Sequence, residues 1–283
     1  MSDESQDPKR PSVFNEDLKQ IQRMAPLMQR VLIVDPAPAS ARLLADLMRN
    51  IAPVQLWNSI TTRKGLEAAR QVNPQLIFVE LGGQDVDGVE FSRLLRRSDM
   101  PCRMAPIIMI TATATAGAIL AARDAGVHEF LRKPYTAKDL LRRLEAVTLH
   151  PRDWVEAVQY VGPDRRRFNS GDYAGPRKRR SDAVATPETA KIAQALKIVR
   201  AAVPAIATDP AQAMRALLAQ MVDLQRGAAV TGNKSLALAV TEFQLYLASV
   251  AQAGALLPDE IAKHAQPLLA FLPKEAPGKD RAA

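Results

Sequence analysis

The feature that most constrains this sequence is an alternation of short apolar runs with helix-like segments between residues 31 and 148. The runs are VLIV (31–34), VQLW (54–57), LIFV (76–79), IIMI (107–110) and the weaker HEFLR (128–132). Runs that are apolar on both faces and separated by helices are typical of a parallel sheet covered on both sides. The alternation therefore predicts an α/β domain, with a doubly wound five-stranded parallel sheet, over residues 30–149.

A second pattern begins at residue 186, beyond which every periodic signal is helical. Thr186-Pro187 and Asp209-Pro210 are N-cap and first-turn pairs. Gly232 stands where a helix should end. These signals predict helices near 187–206, 210–228, 234–252 and 258–272. Because the loops between them are short, we expect an all-α, antiparallel four-helix bundle over 186–275, followed by a disordered tail over 276–283.

Residues 1–29 predict a disordered tail and a short amphipathic helix. The helix follows from apolar residues at helical spacing, Leu18, Ile21, Met24, Leu27 and Met28. Two interpretations are open, since this helix could pack on the next domain or bind a partner or a second copy.

Composition narrows the class of protein. Cys102 is the single cysteine and the three histidines are far apart in the sequence, which argues against a disulfide framework and a metal cluster. No apolar run reaches the roughly 18 residues that a membrane-spanning helix needs, and the acidic start is unlike a signal peptide. We expect a cytoplasmic protein without membrane insertion. No nucleophile-base pair or glycine-rich phosphate loop indicates an enzyme.

Polar residues close four of the five apolar runs. Asp35 follows the first run, Glu80 the third, Thr111 the fourth, and Lys133 lies just past the fifth. Because the carboxyl ends of parallel strands meet at one edge of the sheet, where ligands bind, these four side chains should converge. They form the candidate site.

The order and spacing of these residues resemble a known family. VLIVD, LIFVELGGQDVDGVEF, PIIMITA and HEFLRKP, over about residues 30–148, are similar to the receiver domain of two-component response regulators. The resemblance implies that Glu80 occupies the position of the phosphorylated aspartate. It also implies a phosphorelay signalling role, a trigger at Thr111, a switch aromatic at Phe130 and a commonly cis proline after Lys133.

Two departures from the family pattern bear on function. Receivers accept a phosphoryl group on aspartate, whereas Glu80 carries its carboxylate one methylene further out. They also bind Mg²⁺ with a pair of acids after the first strand, where this sequence has Asp35 followed by Pro36. Proline offers no side-chain oxygen to a metal that prefers oxygen ligands. Mg²⁺ binding is therefore doubtful, and we expect no cofactor.

These departures predict a pseudo-receiver that acts as a signalling adaptor through contacts with kinases, regulators, or polarity and motor proteins. Glu80 is expected to reach Lys133 and Thr111. It could mimic phosphorylation permanently or form an inert ion pair. Phosphorylation at Glu80, or at Asp35, Asp85 or Asp87, is a smaller third possibility.

An arginine-rich linker is predicted over 150–185. It contains a tandem element, YVGPDRRR and then YAGPRKRR, and residues 164–180 hold seven basic and two acidic side chains. Arginine forks bind phosphates and carboxylates in a bidentate manner. Arg165, Arg166, Arg167, Arg177, Lys178, Arg179 and Arg180 are the candidate anion-binding residues. The alternative function is therefore an anion or nucleotide effector that binds cyclic di-guanylate or nucleic acid, although the segment could instead clamp an acidic partner or the receiver itself.

The stretch DLQRGAAVTG (223–232) in the predicted bundle is faintly similar to the phosphotransfer domain pattern. Asp223 stands at the position of the phosphorylated histidine. That resemblance implies a bundle without phosphotransfer activity.

Overall fold

The computed structural model describes residues 13–165, 186–253 and 257–272, with the side chains of residues 13–17 and 253 left aside. The chain divides into two compact units. Among the described residues, the first comprises 13–155 and 161–165, and the second comprises 156–160, 186–253 and 257–272.

The first unit contains a five-stranded parallel sheet of the order β2-β1-β3-β4-β5. Its strands are β1 (Arg30–Val34), β2 (Gln55–Ser59), β3 (Leu76–Glu80), β4 (Ile107–Thr111) and β5 (Glu129–Arg132). β1 lies between β2 and β3, with Val31 opposite both Leu56 and Leu76. The predicted doubly wound α/β fold is confirmed, and each strand lies on one of the apolar runs.

Five helices follow the strands in turn. They are α2 (Pro38–Ile51), α3 (Thr62–Val72), α4 (Gly88–Arg97), α5 (Ala116–Asp124) and α6 (Ala137–Thr148). Side-chain caps begin most of them: Thr61, Asp87, Thr115 and Thr136 each accept a backbone N–H three residues on. These caps fix where each loop at the carboxyl edge of the sheet becomes helix.

Two apolar clusters cover the two faces of the sheet. One joins Ile33 and Phe78 with Leu44 of α2 and Leu144 of α6. The other joins Val34 and Met109 with residues of α3 and α4, among them Ala69, Phe91 and Leu95. The alternation of side chains along each strand divides the strand residues between the two clusters.

The helix predicted near the N-terminus is α1 (Val13–Met24), followed by a 3₁₀ turn at Ala25–Leu27. Met24 and Met28 are fully buried in the cluster that contains α2 and α6. Gln20 Nε2 also donates to Glu145 Oε1 of α6 at 3.2 Å. These contacts are those of a helix packed on the neighbouring domain.

The structure differs from the predicted linker at its beginning. Two short strands, β6 (Trp154–Glu156) and β7 (Val161–Pro163), pair with each other, and Tyr160 and Val161 are buried. Residues 166–185, with Arg166, Arg167, Arg177, Lys178, Arg179 and Arg180, lie outside the described residues.

The second unit contains the predicted helices α7 (Pro187–Ala205), α8 (Pro210–Thr231), α9 (Lys234–Ala253) and α10 (Pro258–Leu269). Small residues bring α7 and α8 close together: a side chain at Gly227 would overlap Ile192. In the same unit, Gln212 Nε2 donates to the buried carboxylate of Glu156 at 2.8 Å. Among the described residues, no helix is long and apolar enough to cross a membrane.

Candidate functional site

The carboxyl edge of the sheet brings three of the four predicted site residues into contact. Lys133 Nζ lies 2.6 Å from Glu80 Oε2 and 3.4 Å from Asp35 Oδ2. We call Asp35, Glu80 and Lys133 the carboxylate cluster. One ammonium thus lies between two carboxylates, so the cluster carries a formal charge of −1.

Backbone geometry places each of these residues. Asp35 directly follows β1, and Glu80 is the last residue of the neighbouring β3. The backbone N–H of Lys133 donates to the carbonyl of Thr111 at 2.7 Å, which extends the pairing of β4 and β5. This hydrogen bond holds Lys133 at the edge that the two acids reach. The peptide bond between Lys133 and Pro134 is cis.

The second oxygen of Asp35 is also bonded. Asp35 Oδ1 accepts the backbone N–H of Ala37 at 2.8 Å and so stabilises the turn before α2. Asp35 is almost fully buried, with 4% of its surface exposed. Both of its carboxylate oxygens therefore have partners within the protein.

Thr111 lies nearby but its hydroxyl is bonded elsewhere. Its Oγ1 accepts the backbone N–H of Thr113 at 3.0 Å and donates to the carbonyl of Thr113 at 3.3 Å. Thr111 therefore stabilises the loop before α5. Glu80, which was expected to reach both Thr111 and Lys133, is bonded to Lys133. Phe130, the predicted switch aromatic, is half-buried against the cluster that contains α4.

The loop after β3 lies against Pro36. A side chain at Gly83 would approach Pro36 Cγ to 2.5 Å, whereas a side chain at Gly82 would meet nothing within 4 Å. Gly83 N–H donates to Val86 O at 2.9 Å, and Thr62 Oγ1 accepts the N–H of Asp87 at 2.9 Å. The position where the family has its second acid is therefore filled by an apolar ring packed on this loop.

Burial and pairing act in opposite directions on the charges. Burial raises the pKa of Glu80, and the hydrogen bond and charge of Lys133 offset this only in part. Burial also opposes the charge of Lys133, but its hydrogen bond to Glu80 and the charges of Glu80 and Asp35 outweigh it and raise the pKa of Lys133. The 2.6 Å contact fits the ionic form of the pair, which is the form we assign at neutral pH.

A second polar cluster, which the sequence did not indicate, lies where β4 and β5 begin. Arg96 of α4 is 1% exposed and donates to the carbonyls of Gly126 at 2.9 Å and Ala105 at 3.0 Å. Its Nη2 lies 3.2 Å from Nδ1 of the buried His128. The guanidinium Cζ also lies over the ring of Trp154, 5.3 Å from the ring centroid, as in a cation–π contact. We call Arg96, His128 and Trp154 the arginine cluster.

The described part of the arginine segment contributes one candidate residue. Arg165 Nη1 lies 2.7 Å from Asp124 Oδ1 at the end of α5. Among the residues that the structure describes, no group of three or more His, Cys, Asp or Glu side chains is arranged to hold a metal ion.

The sequence profile of the response regulator receiver domain matches residues 31–145, the part of the chain that carries the five-stranded sheet and the carboxylate cluster. These residues are a response regulator receiver domain. The receiver domain of two-component signalling systems that the sequence motifs predicted is therefore confirmed for this part of the chain.

Curated relatives match over this receiver domain. The KDP operon transcriptional regulatory protein KdpE of Escherichia coli is 33% identical over 117 residues, which are 41% of this chain and 50% of that protein. The DNA-binding dual master transcriptional regulator RpaA of Synechocystis is 29% identical over 120 residues, 42% of this chain and 49% of that protein. The chain thus spans about half the length of these relatives.

Solved structures of receiver domains are also similar. The chemotaxis protein CheY4 of Vibrio cholerae is 21% identical, with a TM-score of 0.40, and the match covers 42% of this chain and 98% of that one. A receiver domain protein from Methanospirillum hungatei is 19% identical, with a TM-score of 0.40 and coverage of 44% and 96%.

Proposed function

We propose that this protein is an atypical response regulator whose receiver domain is not phosphorylated and serves as an adaptor with a fixed surface. The single observation that carries the proposal is that both carboxylate oxygens of Asp35 are bonded within the protein, to the Ala37 N–H and to Lys133 Nζ, while the next residue is Pro36. It means that no unbonded carboxylate oxygen follows β1, where the family pattern has its metal-binding pair of acids.

The chemistry of phosphoryl transfer explains why this observation matters. A carboxylate nucleophile must lie in line with the donor phosphorus, while metal ions neutralise the charge on the transferring oxygens. Glu80 carries its carboxylate one methylene further out than aspartate, and Pro36 contributes no ligand to a metal ion. Phosphorylation of Glu80 is disfavoured for both reasons.

The donor set does not fit Mg²⁺. This ion prefers six oxygen ligands in near-octahedral geometry. Asp35 uses one oxygen for Ala37 and the other for Lys133, and Pro36 contributes no donor. We therefore propose that the site uses no metal and that the domain has no catalytic activity.

Between the two interpretations of Glu80, the hydrogen bonds of Thr111 favour the inert ion pair over the permanent mimic of phosphorylation. A mimic should engage the Thr111 hydroxyl, yet both hydrogen bonds of that hydroxyl are to the backbone of Thr113. Constant output through protein contacts then follows, with kinases and other signalling proteins as the class of partner.

Restoring the missing acids tests the proposal. Purified full chain is incubated with Mg²⁺ and acetyl phosphate, and intact mass is recorded for the wild type, E80D, P36D and the P36D/E80D double variant. We expect no phosphoryl adduct on the wild type and an adduct on the double variant, where an acceptor aspartate and a second metal ligand are present. A wild-type adduct would contradict the proposal, and loss of that adduct in D35N, D85N or D87N would locate the true acceptor.

The anion or nucleotide effector remains the alternative predicted from the sequence. Its described member, Arg165, pairs with Asp124, which fits the contact with the receiver that the sequence left open. Ligand binding that weakens steeply with salt and is lost when Arg165, Arg166 and Arg167 become Ala would favour the effector.

A further inference from the structure

Of the helices of the receiver domain, α5 has the fewest buried residues. Among its nine residues, all of them described, Ala122 is the one buried side chain. The neighbouring α4, of similar length, buries Phe91, Leu95 and three further residues. Since buried apolar area provides most of the stabilisation of a packed helix, α5 needs other contacts to keep its position.

Those contacts are concentrated at the C-terminal end of α5. Arg96 Nε donates to the carbonyl of Gly126, two residues after the helix ends. Gly126 has a φ of +82°, and a side chain there would overlap the carbonyl oxygen of Val161 in β7. The end of α5 is thus enclosed by Arg96 on one side and by β7 on another.

Residues 152–155 and 161–165, which we call the stem, contact the receiver domain at several further points. The ring of Trp154 lies under the guanidinium of Arg96, and its centroid is 6.0 Å from Cζ of Arg103. Arg152 donates to the carbonyl of His128, and within the stem it donates to the carbonyl of Asp164 at 3.3 Å. Arg165 pairs with Asp124, the last residue of α5.

From these contacts we propose that the receiver domain carries a docking surface for its own stem, and that the docked stem holds α5 in place. The surface is made by Arg96, Arg103, Asp124, Gly126 and His128. Its occupant is the stem, which follows the region that the receiver profile matches. The structural unit of this receiver therefore extends to Arg165.

The docked stem also gives the candidate site a short covalent route to the arginine segment. Thr111 is followed by the loop 112–115, which leads directly into α5, and the far end of α5 contacts Val161 and Arg165. The stem continues into residues 166–180. A change in the position of α5 would therefore move the contact partners of Val161 and Arg165, just where the arginine segment begins.

Hydrogen exchange of the full chain, followed by mass spectrometry, tests this proposal. Trp154→Ala removes the ring that covers Arg96. Because local opening sets amide exchange rates, we expect exchange in residues 116–126 to become about tenfold faster, together with exchange in β6 and β7. Arg165→Ala should accelerate exchange at the end of α5 by about twofold to fivefold, as befits a surface ion pair.

Arg70→Ala is the matched control, since it removes an exposed ion pair with Asp99 elsewhere in the same unit and should leave α5 unchanged. Faster exchange in the stem with wild-type exchange in residues 116–126 would overturn the proposal. If Trp154→Ala unfolds the whole unit, Trp154→Phe and Arg165→Ala decide by the same criterion. No phosphoryl donor is present, so the outcome is independent of whether Glu80 can be phosphorylated.

Discussion

The carboxylate cluster and the arginine cluster lie at opposite edges of the same sheet and differ in how they are stabilised. In the first, Lys133 is 26% exposed in its side chain and pairs with two acids. In the second, Arg96 is 1% exposed and is satisfied by backbone carbonyls and His128. Water can partly replace a lost partner in the first cluster but not in the second. The carboxylate cluster, which occupies the position of the family's functional site, should therefore tolerate substitutions better than the arginine cluster.

The largest expected effect comes from Arg96→Met, which keeps the apolar stem of the side chain and removes its donors. The carbonyls of Gly126, Arg103 and Ala105 would lose their charged partner in a buried site. We expect the free energy of unfolding of the first unit to fall by about 3 kcal/mol or more. Denaturant titration followed by tryptophan fluorescence measures it, because Trp57 and Trp154 both belong to this unit.

Arg93→Met, on the exposed face of the same helix, is the control and should change stability by less than about 0.5 kcal/mol. Equal stability of the two variants would mean that the arginine cluster contributes nothing to the fold.

The next effect is a pH dependence that belongs to the arginine cluster. His128 Nδ1 faces two donors, Arg96 Nη2 and the N–H of Ile107, so the ring is neutral with its proton on Nε2. Burial and then the charges of Arg96 and Arg152 hold the pKa of His128 well below its ordinary 6.5. The unfolded chain therefore binds a proton that the folded unit excludes, and stability falls as pH decreases below 6.5.

The expected slope is up to about 1.4 kcal/mol per pH unit below 6.5. Unfolding measured at several pH values should show this slope in the wild type and a reduced slope in His128→Asn. The comparison concerns slopes, since the variant also changes packing. An unchanged slope would assign the acid sensitivity to other groups.

In the carboxylate cluster, Lys133→Met leaves two carboxylates without their cation. We expect a loss of about 1 to 2 kcal/mol at neutral pH, smaller than for Arg96→Met because the Lys133 side chain is 26% exposed and water can reach the space that it leaves. Without Lys133 the pKa of Glu80 should rise further, so the folded unit binds a proton more readily than the unfolded chain. Relative to the wild type, stability should then recover as pH is lowered toward 5, and the double variant Glu80→Gln/Lys133→Met should lack this recovery.

The smallest effect concerns the loop over Pro36. Gly83→Ala should cost about 1 kcal/mol, because the new methyl would overlap Pro36 Cγ, whereas Gly82→Ala has free space and should be nearly neutral. Adding Pro36→Ala should remove most of the cost of Gly83→Ala. Additive effects in this double-mutant cycle would contradict the close contact of Pro36 with the loop.

The carboxylate cluster could be predicted because the spacing of the apolar runs and the parallel order of the strands determine which residues meet at the edge of the sheet. Apolar runs located the strands, and the polar residue after each strand had to lie at one edge. The same logic placed the bundle helices within a few residues, since Thr186, Asp209 and Gly232 mark their ends. The hydrogen-bond partner of the Thr111 hydroxyl could not be predicted in this way, because local loop geometry determines whether the hydroxyl bonds to Glu80 or to Thr113.

The arginine cluster was not predictable by the same means. Arg96 lies in a charged stretch, LLRRS, where an arginine is ordinarily solvated, and nothing in the pattern marks one of the two arginines as buried. β6 and β7 have three residues each and lie among charges, Gly and Pro, so they give no alternation. Long-range contacts alone reveal that Trp154 covers Arg96.

We propose above all that the carboxylate cluster is fixed and binds neither Mg²⁺ nor a phosphoryl group. Two-dimensional ¹H–¹⁵N NMR of the full chain, titrated with Mg²⁺ and then with acetyl phosphate, tests it directly. We predict that the amide signals of Asp35, Glu80, Thr111 and Lys133 keep their positions, while those of the P36D/E80D double variant shift. Saturable shifts of these signals in the wild type would contradict the claim and identify a working receiver.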